Sequence, residues 1–232
     1  MAANSNINQL YISYWPVFIA PIASKEYLDR FSRDAIAGNF VILHEGFHLF
    51  VQFGSLFDGR PDWQLLQKGT TNREDIALCR NLANPVVQQE IIALQKILAL
   101  LSEYAKPSFL IGPAKDFLLA RKTRYSQTPK GGTSSCERLD LEFERLEGNA
   151  DYVSEKSFIL AGNWKMSDVY EYYNEMFLQQ KKKTTSEYAF YFSGATISHL
   201  LDQLQPSGEW RQRVSVNPEL RLDVLLTELL LP

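Results

Sequence analysis

FVILHEGFHLFVQF, residues 40–53, sets His44, Glu45 and His48 into a run that is otherwise almost entirely apolar. Imidazoles and carboxylates are poor core residues, because burying them without partners is costly. On a helix, positions four apart share one face, with Cβ atoms about 5–6 Å from each other. His44 and His48 therefore project side by side and can share a metal ion. Glu45 is turned about 100° around the axis, near enough to reach a metal-bound water without ligating the metal. The competing reading is a buried histidine pair satisfied by Glu45 and backbone carbonyls. Two of the only three histidines in the chain fall in this pentapeptide, which favours the metal. Zinc suits the set, since neutral imidazoles bind it well and a catalytic site keeps one position open.

Such a site needs a third protein ligand. His199 is the one histidine left, and a carboxylate is the other choice. RLEGNADYVSEK, residues 145–156, offers one. In the helical pattern around it, Leu139, Phe143, Leu146, Ala150 and Val153 form an apolar stripe, with Glu147 and Asp151 four apart at its edge. The small residues Gly148 and Ala150 flank Glu147 and would let another helix come close. Glu147 would then complete the metal shell. Asp151, one turn on, would accept the N–H of the non-ligating nitrogen of His44 or His48 and fix the ring. Taken alone, Glu147 reads as part of a solvated face, since Glu137, Glu142, Glu144 and Glu155 share the segment.

HExxH followed at a distance by E-G-x-A-D-Y resembles the gluzincin metallopeptidases, the clan that includes thermolysin-like enzymes. The resemblance covers the two motif segments and their order. It implies His44, His48 and Glu147 as zinc ligands, Glu45 as general base, and Asp151 as support for a ligand histidine. It further implies a zincin-like catalytic domain, a peptide or protein substrate and Zn2+ as cofactor. Related enzymes stabilise the oxyanion with a Tyr or His. SEYAFYFSGATISHLLDQL, residues 186–204, places Tyr188, Tyr191, Ala195, His199 and Asp202 on roughly one helix face. His199 and Tyr191 are accordingly the catalytic candidates, with Tyr152 behind them, although each also reads as ordinary core. The edge strand that binds substrate in well-studied members has no clear counterpart; the stretch around Leu10–Trp15 is the nearest. The donor set alone equally supports a hydrolase or lyase acting on a small molecule. A di-iron carboxylate site would need a second ExxH, and the chain has none.

The remaining sequence predicts a mainly α (α+β) protein with a small N-terminal β element. Ser24 reads as the N-cap of a helix that breaks at Gly38-Asn39 before the HEGFH helix, and FDGRPDW reads as a turn. Asn84-Pro85 and Asn217-Pro218 each mark a helix start, with Asn as cap and Pro as first residue. Further helical periodicity covers about 136–160, 167–181 and 186–204. The polar stretch 126–135 reads as a mobile loop, within one compact domain over 1–232 or between two lobes. A net charge of −3 and a pI near 5.7 give no reason to expect nucleic acid or an anionic membrane. The basic clusters at 121–124 and 181–183 read as solvated helix C-termini. Cys79 and Cys136 read as ordinary thiols, which suggests a reducing compartment. LYISYWPVFIAPIA, residues 10–23, lacks a basic flank and is too short to span a bilayer, so the expected location is cytoplasmic.

Overall fold

A computed structural model describes residues 40, 42–48, 79–127, 135–180, 188–217 and 219–230. The opening strand, the Ser24 cap, the FDGRPDW turn, most of the 126–135 loop and the basic run at 181–183 lie outside the described residues. Within them the chain is mainly helical and contains no strand. The HEGFH segment is helical over 42–48. It is followed by α1 (Pro85–Ser102), α2 (Pro107–Gln127), α3 (Cys136–Phe143), a π-helical turn (Glu144–Gly148) and α4 (Asn149–Leu160). The remaining helices are α5 (Met166–Gln180), α6 (Tyr188–Leu204), α7 (Glu209–Val216) and α8 (Leu222–Leu230).

Local chemistry sets several of these ends. Asn84 accepts the Val86 N–H at 2.9 Å and Pro85 opens α1, as the Asn-Pro pair predicts. α1 closes in a Schellman turn: the Tyr104 N–H donates to Leu101 O at 3.1 Å and the Ala105 N–H to Leu100 O at 3.0 Å. That geometry puts Tyr104 in the left-handed region at φ 54°, where glycine is the usual occupant. α4 ends the same way with Gly162 at φ 74°. The second Asn-Pro pair behaves differently. Asn217 closes α7, its side chain accepting the Glu219 N–H at 3.1 Å, and α8 begins only at Leu222. A short Asn side chain that bonds the backbone two residues on stabilises a turn in competition with a helix.

α6 is the centre of the molecule. Residues 192–201 are all buried, and a helix without a solvent face is a core helix. α1, α2, α3, the π turn, α4 and α8 all pack against it. One apolar cluster unites Leu94, Ile97 and Leu98 of α1, Phe117 of α2, Phe192 and Leu200 of α6, and Leu225 of α8. Each such side chain, fully buried, contributes about 1.5–3 kcal/mol. Helices on both sides of the 126–135 stretch thus share this core. The HEGFH helix is held from outside by aromatic packing: the ring centroid of Phe40 lies 5.5 Å from Tyr172, 5.7 Å from Trp164 and 6.3 Å from Phe158.

Two sequence readings are corrected here. Cys79 and Cys136 are joined in a disulfide with Cα atoms 5.3 Å apart, tying the segment before α1 to the start of α3. The thiol reading fails because proximity in space, not spacing in sequence, decides pairing; the reducing compartment inferred from it falls too. In a chain-entropy account, closing a loop of this length contributes about 4 kcal/mol. The second correction concerns residues 121–124. They do lie at the end of α2, yet Arg121 and Arg124 are almost wholly buried. With Arg80 they meet Glu90, Asp140 and Glu144, three cations against three anions. Burial alone would raise the carboxyl pKa of Glu90, but the three guanidinium groups bring it down to about 2. No helix among the described residues is long and apolar enough to cross a membrane.

Candidate metal centre

His44 and His48 stand one turn apart with ring centroids 4.7 Å from each other and ring planes 80° apart. Their Nε2 atoms are separated by 3.0 Å. Glu147 Oε2 completes a triangle, 3.0 Å from His44 Nε2 and 3.3 Å from His48 Nε2. On the other side of the His44 ring, Nδ1 lies 2.8 Å from Asp151 Oδ1. Both histidines thus meet Glu147, and His44 also meets Asp151.

Proton bookkeeping shows what this triangle requires. With His44 Nδ1–H donating to Asp151, a neutral ring turns a bare lone pair at Nε2 towards the Glu147 carboxylate, itself only an acceptor. Lone pairs facing each other in a buried site repel unless a cation sits among them. A proton is one such cation: burial would lower the His44 pKa, but the hydrogen bonds to Asp151 and Glu147 override it and raise it to about 9. Burial likewise pushes Glu147 upwards, and the hydrogen bonds from His44 and His48 outweigh it, bringing its pKa to about 2. A divalent metal is the other. Tetrahedral ligands at zinc bond lengths of about 2.0–2.1 Å lie about 3.3 Å from one another, and the triangle's edges of 3.0–3.3 Å match that spacing. His44, His48 and Glu147 are the set among the described residues whose donor atoms converge in this way.

Glu147 reaches the histidines because its segment is pinned at three points. The π turn Glu144–Gly148 widens the helix by one residue, a distortion that recurs at functional sites. Glu144 at its start receives Arg121 at 2.9 Å and Arg80 at 3.0 Å, and also bonds the Ser193 hydroxyl of α6. Arg145, buried, donates to the carbonyls of Val214 at 2.7 Å, Asn217 at 2.9 Å and Leu220 at 3.0 Å. Gly148 touches Gly194 of α6 so closely that a Cβ on Gly148 would stand 2.5 Å from the Gly194 Cα. The close helix approach expected from the small residues beside Glu147 is therefore present, and α6 is the helix that comes close.

The other candidates fall into two groups. Tyr191 lies against the site, its ring stacked on His44 at 5.8 Å and 12°, and it is partly exposed. Glu45 is exposed on the same helix and is not one of the three converging groups. His199 is buried, and its Nε2 lies 2.7 Å from Glu155 Oε2. Tyr152 donates to Asp202 at 2.6 Å and packs edge-on against His199. These two meet Glu155 and Asp202, not the donor triangle.

Three participants escape the sequence reading. Glu144 and Glu155, grouped there with a solvated face, are both fully buried, and Tyr173 bridges two carboxylates behind His44. The available signal was periodicity. Asp140, Glu144, Glu147, Asp151 and Glu155 recur every three to four residues, and Glu90 occupies a stripe position between Val87 and Leu94. An acidic stripe at helical spacing looks solvated until a buried cation or histidine is known to face it.

Fold and site together define a helical protein carrying a two-histidine, one-carboxylate donor triangle. No protein-family model matches the chain, and no curated protein or solved structure matches it either. None of these comparisons tests the gluzincin resemblance expected from the sequence.

Proposed function

We propose that this chain is a zinc-dependent metallopeptidase in which His44, His48 and Glu147 hold the ion. The observation that carries the reading is the triangle of His44 Nε2, His48 Nε2 and Glu147 Oε2, with edges of 3.0–3.3 Å and Asp151 behind His44. Zinc held by two imidazoles and a carboxylate lowers the pKa of bound water towards neutrality and polarises a carbonyl. The chain's own residues divide the remaining work. Glu45, exposed and next in sequence to His44, takes up a proton on its carboxylate and returns it to the leaving amine. The Tyr191 hydroxyl is the candidate donor to the developing oxyanion, on a ring already stacked against His44. Asp151 holds His44 Nδ1–H and so keeps Nε2 turned into the triangle.

Metal analysis and one substitution test the proposal. Purified protein should carry close to one zinc per chain, and His44→Ala should lose it. Glu45→Gln should keep the zinc yet cut cleavage of a mixed peptide library by about 10²–10⁴-fold. Protein without stoichiometric zinc, or an undiminished Glu45→Gln enzyme, refutes the assignment. Zinc-bound protein that cleaves no peptide but turns over a small amide or ester would move the activity to a small-molecule hydrolase.

A further inference from the structure

The hydrogen bonds behind the donor triangle do not end at Asp151. Its second oxygen, Oδ2, lies 3.2 Å from the Tyr173 hydroxyl, which lies 2.5 Å from Glu155 Oε1. Glu155 Oε2 in turn lies 2.7 Å from His199 Nε2. Asp151, Tyr173, Glu155 and His199 thus make one unbroken line from His44 into the protein, across α4, α5 and α6. All four are buried, Glu155 completely. Tyr173 belongs to the apolar core cluster with Val169, Phe192, Ala195 and Leu200.

A purely structural core has no use for two carboxylates one helical turn apart. Each is costly to bury, and the pair repel. Burial raises the pKa of both, with His44 and His199 each opposing the rise at one end. The Tyr173 hydroxyl stands between the carboxylates and gives its single proton to Glu155 at 2.5 Å, and the His199 N–H donates to Glu155 at the far end. Glu155 then has both oxygens engaged, and Tyr173 is fixed from behind. Asp151 accepts from His44 on one oxygen and meets the Tyr173 hydroxyl oxygen at 3.2 Å on the other, so a change at Tyr173 is felt by its carboxylate.

We propose that Tyr173, Glu155 and His199 are positioning residues that act through Asp151 to hold His44 in the orientation that binds metal. This rests on the metal-centre reading above, and it gives the buried His199 a role without contact to substrate. Partners outside a metal shell are typically worth 10–100-fold in metal affinity, and this line, one layer further out, should fall at the lower end.

The test measures zinc affinity by chelator competition, with the d–d spectrum of the cobalt-substituted protein and circular dichroism as a check of folding. Tyr173→Phe keeps the ring and deletes the hydroxyl; it should weaken zinc about 10-fold and shift the cobalt bands. His199→Leu should do the same, whereas His199→Gln, which keeps an N–H for Glu155, should restore affinity to within about twofold. Phe192→Leu is the packing control, since Phe192 touches the Tyr173 ring at 5.0 Å and shares none of these hydrogen bonds. It should lower stability and leave zinc affinity unchanged. Wild-type affinity in folded Tyr173→Phe and His199→Leu, or a loss equal to that of Phe192→Leu, overturns the inference while leaving the metal centre intact. Wild-type protein that binds no zinc overturns both.

Discussion

Gly194→Ala should damage the metal centre from the far side of a helix. A Cβ at Gly194 would stand 2.6 Å from Glu144 O, 2.8 Å from the Gly148 Cα and 2.9 Å from the Glu144 Cα. All three are backbone atoms, so no rotamer change relieves the clash. Ordinary contact begins near 3.4 Å, and the π turn must therefore retreat from α6 by roughly 1 Å, an overpacking shift that costs about 1–3 kcal/mol. In a chain of this size that lowers Tm by about 2–12 °C. Glu147 rides on the retreating turn. Metal–ligand distances tolerate only about 0.2 Å, so zinc affinity should fall by at least about tenfold even where the protein stays folded. Gly112 in α2 supplies the matched control, because a Cβ there meets nothing within 4 Å. Gly112→Ala, whose new Cβ has only the adjoining Pro113 ring beside it, should leave zinc untouched. Thermal unfolding of the metal-free proteins and chelator competition measure both effects. Gly194→Ala with wild-type Tm and wild-type zinc affinity would refute the close crossing as the device that presents Glu147.

The Schellman turn at Tyr104 makes a simpler prediction. Tyr104 is 75% exposed and holds φ 54°, so Tyr104→Gly removes a left-handed strain of about 1 kcal/mol without losing core; an unchanged or lower Tm in thermal unfolding contradicts it. The metal-free protein should also lose stability in alkali. The folded state holds the His44 proton up to a pKa of about 9, against 6.5 ordinarily, so that stabilisation is complete below pH 6.5 and is lost as pH rises through 9. Glu147, brought down to about 2 from 4.5, works in the opposite range: its contribution holds above pH 4.5 and is lost as pH falls through 2. The His44–Glu147 hydrogen bond enters both shifts and counts once, beside the Asp151 bond that leads the rise at His44 and the His48 bond at Glu147. Tm of metal-free protein measured across pH should therefore be highest between about 4.5 and 6.5 and fall towards 9. His44→Gln should abolish the alkaline fall; a fall of equal size in that variant would remove His44 as its source.

The buried charge cluster belongs to the same design as the metal centre. Glu144 is clamped by Arg80 and Arg121 three residues before Glu147, and Cys136 and Cys79 bracket the segments that bring Asp140 and Arg80 together. Buried ion pairs add little net stability over a well-packed apolar alternative, but they fail badly when one partner is removed. Their value here is positional: they fix the turn that carries a ligand.

Much of this architecture is legible in the sequence alone. Helical periodicity located α1 and α3 to α6 to within a few residues. The i,i+4 histidines, the carboxylate ninety-nine residues after His48 and the small residues beside it named all three corners of the triangle. These features are local: helix period, capping chemistry and ligand type are written in neighbouring residues. What tertiary structure alone decided was which polar residues are inside. Arg121, Arg124, Glu144 and Glu155 carry surface chemistry in sequence, and they are buried because each meets an opposite charge or a histidine from a distant segment. The Cys79–Cys136 bond, the Gly148–Gly194 crossing and the line from His44 to His199 are pairings of the same kind. A sequence states what each side chain can donate or accept; only the packing of α3 and α4 against α6, and of the HEGFH helix near Glu147 and Asp151, determines to whom.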